Sequence, residues 1–462
     1  MARIVRTDSL ARNGTFCPVA RVVMAFGLAA IAALGQSGPD AREIPVPPIH
    51  GAPRSMPGAK ALAVSPEMPD VMTMNGGGRV RTAAQWKKRR EQMREILAYY
   101  AVGHMPPAPG NVTGEVLLEE GTYRLMRLRF GPARKLELQV GLLTPQGAGP
   151  FPAVVLLGGT PPGAVEAPRL PQGPNQGKGE DVLLLVGPGD KPPAVRPAAP
   201  VAKPAELAAR FSAVLERGYA VAMFNPNDCA EDTTLRNRDG SWAFRDTRFP
   251  PAYPGYDWGI LGAWAWGASR VADYLETDPR IDRRKLIVTG ASRNGKAAMI
   301  AGAFDDRFMA APVVTGGGGV GAYRFAGPRG SETLDIMQKK YPNWFSPQLH
   351  EFWGERERLP FDEHWFLALC APRPFIALEG LTDRISLPEA VRQSMAGARP
   401  AYALLGAGER LGVHYSRHGH AFTEEDWTAM LDFADWHWRG RKPAERFDRF
   451  PTDAEIDAGT MR

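Results

Sequence analysis

The second half of the chain alternates between continuous apolar runs and segments that have helical character. The apolar runs lie at residues 219–224, 285–290, 310–315 and 374–379. The predicted helices lie at residues 205–217, 258–276, 294–303 and 427–438. Continuous apolar runs are typical of strands that are buried on both faces. Strands that alternate with helices predict a right-handed, doubly wound parallel sheet.

The pattern before residue 160 is different. Apolar side chains recur at helical spacing in residues 82–102, which predicts a helix that ends before the prolines at 106 and 107. Short, partly alternating runs at 112–118, 123–130 and 136–143 then predict antiparallel strands, and a continuous apolar run follows at 151–159. The predicted sheet therefore begins antiparallel and becomes mostly parallel.

The ends of the chain suggest processing and linker segments. A basic stretch ending at Arg21 precedes an uncharged apolar run at 22–35, which is typical of a signal peptide and shorter than a membrane span. We therefore predict a signal peptide at 1–36, an extended leader at 37–80, a catalytic domain at 81–445 and a tail at 446–462. Residues 161–205, rich in Pro and Gly, are interpreted as a surface insertion. Export to the periplasm or the medium is expected, with no stable membrane association after cleavage.

Composition and charge narrow the function classes. The chain has 462 residues and a formal charge of +6, but no Lys/Arg-rich run with interleaved aromatic residues, so no nucleic-acid partner is expected. Of its three cysteines, Cys17 lies in the predicted signal peptide. Cys229 and Cys370 remain, and the sequence leaves open whether they form a disulfide or stay free thiols.

The sequence GASRNGK at residues 290–296 follows an apolar strand and opens a predicted helix. This is the context of a nucleophile elbow, in which a sharp turn lifts the Ser292 hydroxyl clear of the sheet. The N–H groups of the new helix can help to stabilise an oxyanion. The motif differs from the usual one because Asn294 takes the fifth position and the glycine comes next, at Gly295.

A serine nucleophile in this context needs an acid and then a histidine later in the chain. His420 precedes the last predicted helix and is the candidate base, with His418 as a near competitor. Asp383 follows the strand at 374–379 and is the candidate acid, whereas Glu379 lies within that strand. A metal site at the histidines 414, 418 and 420 is disfavoured, because no carboxylate or Cys completes a standard zinc spacing. No metal or organic cofactor is expected.

With these residues identified, the chain resembles the glucuronoyl esterases, the fifteenth carbohydrate esterase family. The resemblance covers residues 80–440, and its motifs are GASRNGK (290–296), YDWGILGAWAWG (256–267), YLETDPRID (274–282), AFDDRF (303–308), YPNWF (341–345), LPFDEH (359–364), ALCAPRP (368–374) and GHAFTEEDW (419–427). It implies an α/β-hydrolase fold with a three-layer sandwich. It also implies activity on esters that join glucuronic acid branches of xylan to lignin alcohols.

The resemblance also implies residue roles. It makes Ser292 the nucleophile, His420 the base and Arg293 an oxyanion stabiliser through its N–H and guanidinium. Lys296 matches a lysine that binds the uronate sugar, and Glu332 matches a glutamate that contacts sugar hydroxyls.

Two positions depart from the family pattern. Thr315 stands where many members carry a glutamate, so the acid role would fall to Asp383. Ile385 stands where members usually carry a tryptophan, and this change removes a stacking surface for the sugar.

The sequence therefore predicts an exported, monomeric serine esterase acting on glucuronoxylan or on lignin–carbohydrate esters through Ser292, His420 and Asp383. One alternative is an acetyl-xylan or general carboxylesterase on the same scaffold, which Thr315 and Ile385 favour and Lys296 disfavours. Another is a catalytically weak relative that binds carbohydrate.

Overall fold

Eight of the nine strands of the central sheet lie where the apolar runs predict them. The computed structural model describes residues 42–46, 56–170, 183–184, 202–232, 235–236, 248–325 and 332–460. The predicted signal peptide and most of the predicted insertion lie outside these residues. The described strands are β1 (Thr113–Glu120), β2 (Tyr123–Phe130), β3 (Leu136–Leu143), β4 (Phe151–Leu157), β5 (Leu183–Leu184), β6 (Ala220–Phe224), β7 (Leu235–Arg236), β8 (Ile281–Ala291), β9 (Phe308–Val313), β10 (Phe375–Gly380) and β11 (Leu411–Ser416).

Nine of these strands form one sheet in the order β1-β2-β3-β6-β4-β8-β9-β10-β11, and β5 pairs with β7 in a separate ladder. The pairs β1–β2, β2–β3 and β3–β6 are antiparallel. All pairs from β6 to β11 are parallel. The prediction of an antiparallel start and a parallel remainder is confirmed. The carboxyl ends of β8, β10 and β11 consequently lie along one edge, where α/β proteins bind ligands.

The helices surround this sheet. In chain order they are α1 (Ala83–Leu97), α2 (Pro204–Arg210), α3 (Ser212–Glu216), α4 (Ile260–Leu275), α5 (Arg293–Phe304), α6 (Leu334–Lys340), α7 (His364–Cys370), α8 (Pro388–Leu404), α9 (Glu424–Arg439) and α10 (Asp453–Ala458). The Thr82 hydroxyl accepts a hydrogen bond from Gln85 N, and Thr82 N donates to the side-chain oxygen of Gln85, so a capping box fixes the start of α1.

Side chains of the central strands alternate between two hydrophobic cores. In β4, Ala153, Val155 and Leu157 belong to the core that contains α4, α5 and α7. Val154 and Leu156 belong to the core that contains α2, α3 and α9. Because successive side chains of a strand point to opposite faces, this alternation gives the three-layer α/β arrangement that the resemblance implied.

The flanking segments pack against the domain. Val71 and Val80, in the predicted leader, are buried in the larger core, and Pro69 O accepts a hydrogen bond from Trp365 Nε1 at 2.9 Å. In the predicted tail, Phe447 is buried and its carbonyl accepts a hydrogen bond from Val413 N at 2.7 Å. Both segments therefore contribute to the core.

Several elements were not predicted, among them one helix and one strand that carry local signals against their conformation. Helix α8 contains Pro400, and strand β11 contains Gly412, where a Cβ would lie 2.7 Å from the Phe433 ring. Proline and glycine are local signals against a helix and a strand, but tertiary packing overrides them here. Cys229 and Cys370 are both buried free thiols, which settles the alternative that the sequence left open.

Candidate active site

Ser292 lies at the sharp turn between β8 and α5. Its backbone has φ +58° and ψ −126°, a conformation that residues other than glycine rarely adopt. Two glycines permit the turn. A Cβ on Gly290 would lie 2.8 Å from backbone and side-chain atoms of Asn294, and a Cβ on Gly295 would lie 2.6 Å from Gly290 O. Gly295 thus serves the close strand–helix approach despite its shifted position in the motif.

The start of α5 places backbone N–H groups beside Ser292. Ser292 N donates to Val313 O at 2.9 Å, and Lys296 N donates to Ser292 O at 3.0 Å. The N–H groups of residues 293–295 belong to the first turn of the helix and have no acceptor within it. They can therefore donate to an oxyanion that forms at the Ser292 side chain.

Asp383 and His420 meet at the same edge of the sheet. His420 Nδ1 lies 2.9 Å from Asp383 Oδ2, and the other carboxylate oxygen, Oδ1, accepts a hydrogen bond from Ile385 N at 2.9 Å. The Asp383 side chain is 1% exposed, whereas that of His420 is 38% exposed. A buried carboxylate thus orients an imidazole that is itself partly exposed to solvent.

The loops that carry this pair are bonded to each other. Leu381 N donates to Ser416 O at 2.9 Å, and Thr382 N donates to His418 O at 3.1 Å. At the end of β10, a Cβ on Gly380 would lie 2.3 Å from Gly419 O, so only glycine lets the two loops approach this closely. Within the described residues, Ser292 Oγ makes no hydrogen bond, so the bond between Ser292 and His420 is not formed in this structure.

The competing residues have other partners. His418 Nε2 lies 3.0 Å from Asp426 Oδ2, at the start of α9. His414 Nδ1 lies 3.3 Å from Glu445 Oε1, a different carboxylate again. The three clustered histidines therefore pair with three different carboxylates. In the part of the chain that the structure describes, no three His, Cys, Asp or Glu side chains are arranged to hold a metal ion.

Glu379 is fully buried within β10. Burial raises the pKa of its carboxyl to about 8, and the nearby Asp383 carboxylate adds to the rise. Asp383 rather than Glu379 contacts His420.

Arg293 follows Ser292 directly and is held by an acid and two aromatic rings. Its Nη1 donates to Asp232 Oδ2, and its guanidinium carbon lies 4.9 Å from the ring centre of Trp344 and 5.4 Å from that of Tyr341. The side chain is 39% exposed. The guanidinium of the residue that follows the nucleophile in sequence is thus held by three side chains.

Lys296 and Glu332 form an ion pair one helical turn beyond Ser292. Lys296 Nζ lies 2.7 Å from Glu332 Oε2 and 2.7 Å from Gly317 O, and it also donates to Thr315 O. The Lys296 side chain is 1% exposed and that of Glu332 is 16% exposed. All three ammonium donors therefore have partners within the protein, and Glu332 is the more accessible member of the pair.

Thr315 bonds to the backbone through its hydroxyl, which makes no hydrogen bond with His420 among the described residues. Its hydroxyl accepts a hydrogen bond from Val320 N at 2.8 Å, across the glycine loop at 316–319. Its carbonyl is one of the acceptors of Lys296. Ile385 is half-buried beside Asp383.

Known proteins share this architecture. A profile of the family described as glucuronyl esterase, fungi, matches residues 195–406. A carbohydrate esterase from an unknown prokaryotic organism is 28% identical over 426 residues, covering 86% of this chain and 95% of that protein. A 4-O-methyl-glucuronoyl methylesterase of Podospora anserina is 28% identical over 394 residues, covering 83% of this chain and 69% of its own.

A solved structure is similar over nearly its whole length. The carbohydrate esterase family 15 glucuronoyl esterase from Caldicellulosiruptor kristjansonii aligns with a TM-score of 0.64 and 30% identity, covering 86% of this chain and 97% of its own. This chain belongs to the glucuronoyl esterase family. The resemblance inferred from the sequence is confirmed, and so are the α/β-hydrolase fold and the reaction class, carboxylic ester hydrolysis.

In a glucuronoyl esterase, the partners of Arg293 are of interest because the family resemblance assigns this residue to the oxyanion. The family resemblance implied the oxyanion role of Arg293, whereas nothing in it pointed to Asp232, and Tyr341 and Trp344 belong to the shared motif YPNWF. One signal was present for Asp232. It follows the apolar run at 219–224, and the carboxyl ends of parallel strands share an edge with the nucleophile.

Proposed function

We propose that this chain hydrolyses carboxylic esters of glucuronic acid, in particular the 4-O-methyl-glucuronoyl esters that link xylan to lignin alcohols. Family membership and the activity named for the Podospora anserina relative support the substrate class. The observation that carries the chemistry is the pairing of His420 with buried Asp383 at the sheet edge where Ser292 occupies a nucleophile elbow.

In the proposed reaction, His420 Nε2 takes the Ser292 hydroxyl proton while Oγ attacks the ester carbonyl carbon. Asp383 holds the imidazole tautomer and stabilises the imidazolium that forms. The tetrahedral intermediate collapses by breaking the bond to the alcohol, which receives the proton from His420. Water then attacks the acyl-enzyme, gives a proton to His420, and the uronic acid leaves as Ser292 regains its proton.

Charge builds up on the carbonyl oxygen in both tetrahedral intermediates. The N–H groups at the start of α5 and the Arg293 guanidinium are assigned to that oxyanion, since fixed donors at a developing negative charge stabilise the transition state. Loss of one such donor typically lowers kcat by about 10²–10³-fold.

Lys296 and Glu332 are assigned to the sugar subsite. Glu332 is the more exposed of the two, so its carboxylate would accept hydrogen bonds from sugar hydroxyls. Lys296 would act mainly by holding Glu332 and by its positive charge, because the Lys296 donors are already engaged.

A second specificity is favoured by one observation. Ile385, next to Asp383, replaces the tryptophan expected in the family, and an aliphatic side chain offers no ring on which a sugar can stack. Simple acetyl esters or acetyl-xylan would be the substrates in that case.

The proposal also includes export of the protein to the periplasm or the medium. The mature protein is proposed to be a monomer and to have no stable association with the membrane. The signal-like segment at 1–36 supports it, and among the described residues no helix combines the length and apolarity needed to cross a membrane. Fractionation of expressing cells tests export and membrane association, and size-exclusion chromatography of the mature protein tests the monomeric state.

The deciding experiment compares the hydrolysis of benzyl glucuronate and of a simple acetyl ester of the same alcohol, with Ser292→Ala as the control. The proposal expects a higher kcat/KM for the glucuronate ester and no turnover of either by the variant. A preference for the acetyl ester would instead establish the second specificity. Turnover that survives Ser292→Ala would refute the nucleophile assignment.

A further inference from the structure

The Arg293 guanidinium has an acidic partner from a distant part of the chain. Asp232 follows β6, and its Oδ2 accepts a hydrogen bond from Arg293 Nη1 across 61 residues of sequence. The Asp232 side chain is 10% exposed. Its second oxygen, Oδ1, accepts a hydrogen bond from Trp344 Nε1 at 2.8 Å. Both carboxylate oxygens are therefore used, one on the arginine and one on the indole.

Trp344 and Tyr341 form the floor beneath the guanidinium. Their rings stack with centroids 3.9 Å apart and an interplanar angle of 9°. Trp344 is 2% exposed. A Cβ on Gly259 would lie only 2.3 Å from the Trp344 carbonyl oxygen, so this segment packs tightly against the start of α4. Trp344 thus belongs to the larger hydrophobic core, and Tyr341 packs against that core.

A free arginine side chain samples many rotamers, and holding it in one conformation costs conformational entropy. Electrostatic stabilisation of a transition state is strongest when the donors are fixed before the reaction begins. A bond to Asp232 and cation–π contacts with two rings supply that fixation for Arg293. Asp232 engages Nη1 of the guanidinium, and the planar group carries further N–H donors that could bind an oxyanion.

We propose that Asp232, together with the Trp344 indole N–H, is the positioning residue of Arg293 in the reaction of this esterase. The inference rests on the proposed oxyanion role of Arg293. Asp232 does not touch the substrate, and it acts by holding the guanidinium in place as negative charge develops at the carbonyl oxygen. Its loss should therefore lower kcat and leave KM nearly unchanged.

The test is a double-mutant cycle on benzyl glucuronate with Asp232→Asn, Arg293→Ala and the double variant. Asp232→Asn retains the side-chain volume and an acceptor for the indole, but removes the charge that holds the guanidinium. We expect a fall in kcat of about tenfold with KM within twofold, and a fall of about 10²-fold for Arg293→Ala. The double variant should be no slower than Arg293→Ala, because Asp232 acts only through Arg293.

Trp344→Phe keeps a ring beneath the guanidinium and removes only the N–H, so we expect a smaller loss of kcat in the same direction. It also keeps the test decisive if Asp232→Asn fails to fold, as urea unfolding would reveal. Asp448→Asn, at an exposed ion pair far along the chain, controls for loss of one carboxylate.

Losses that add in the double variant, or a change in KM alone, would overturn the positioning role while leaving the esterase assignment intact. Unchanged kcat in Arg293→Ala would instead refute the oxyanion role from which the inference starts.

Discussion

Replacing Glu379 by glutamine should stabilise the protein increasingly as the pH rises from 5 to 8. Glu379 is completely buried next to the last residue of β10, and burial raises the pKa of its carboxyl to about 8 from an ordinary value of 4.5. In the unfolded chain this carboxyl ionises near pH 4.5, whereas in the fold it stays protonated up to about pH 8.

The sign of the effect follows from proton linkage. The folded protein holds one more proton than the unfolded chain between these two pH values, so the free energy of unfolding falls as the pH rises. The stabilising contribution of protonated Glu379 is fully present below pH 4.5 and is lost as the pH approaches 8. At about 1.4 kcal/mol for each pH unit, the loss between pH 5 and pH 8 amounts to about 3–4 kcal/mol.

Glutamine has nearly the same shape and does not titrate, so its burial costs the same at every pH. The difference in unfolding free energy between Glu379→Gln and the wild type should therefore grow by that amount from pH 5 to pH 8. Equilibrium urea unfolding at four pH values measures it, with exposed Glu119→Gln on β1 as the control for the loss of one carboxylate. A difference that stays constant with pH would show that Glu379 is ionised in the fold, and the reasoning from burial would fail.

Three further outcomes are expected. Ser292→Ala and His420→Ala should each lower kcat by about 10³-fold or more, and the double variant should lose little beyond either, because the two act as a unit; additive losses would contradict their pairing. Asp383→Asn should reduce kcat far more than Thr315→Val, since only Asp383 contacts the imidazole, and near-normal turnover of Asp383→Asn would exclude it as the acid. Lys296→Met should lower the free energy of unfolding by about 1–3 kcal/mol, as measured in urea, because it leaves Glu332 and the carbonyls of Thr315 and Gly317 without their donor. It should also reduce kcat/KM for glucuronate esters more than for acetyl esters, and equal losses on both esters would remove it from the sugar subsite.

The sequence by itself determined the elements that depend on local pattern. Continuous apolar runs are typical of buried strands, so five of the six parallel strands of the sheet were predicted, all except β11. The GASRNGK motif placed Ser292 between a strand and a helix, because the two glycines around it are a local requirement of the turn. The order of serine, aspartate and histidine along the chain then limited the candidates for the other roles.

Only the tertiary structure decided which of the candidates meet. Asp383 and Glu379 are four residues apart, but one turns toward His420 at the strand end while the other is sealed within β10. His418 and His420 are two residues apart, and Asp426 on α9 takes the first of them. The sequence likewise did not show that Lys296 would be buried, and the position of Asp232 after an apolar run did not show that it would hold Arg293. Such partnerships join side chains whose strands are brought to one edge by the order of the sheet, and that long-range order is not encoded in the local periodicity of the chain.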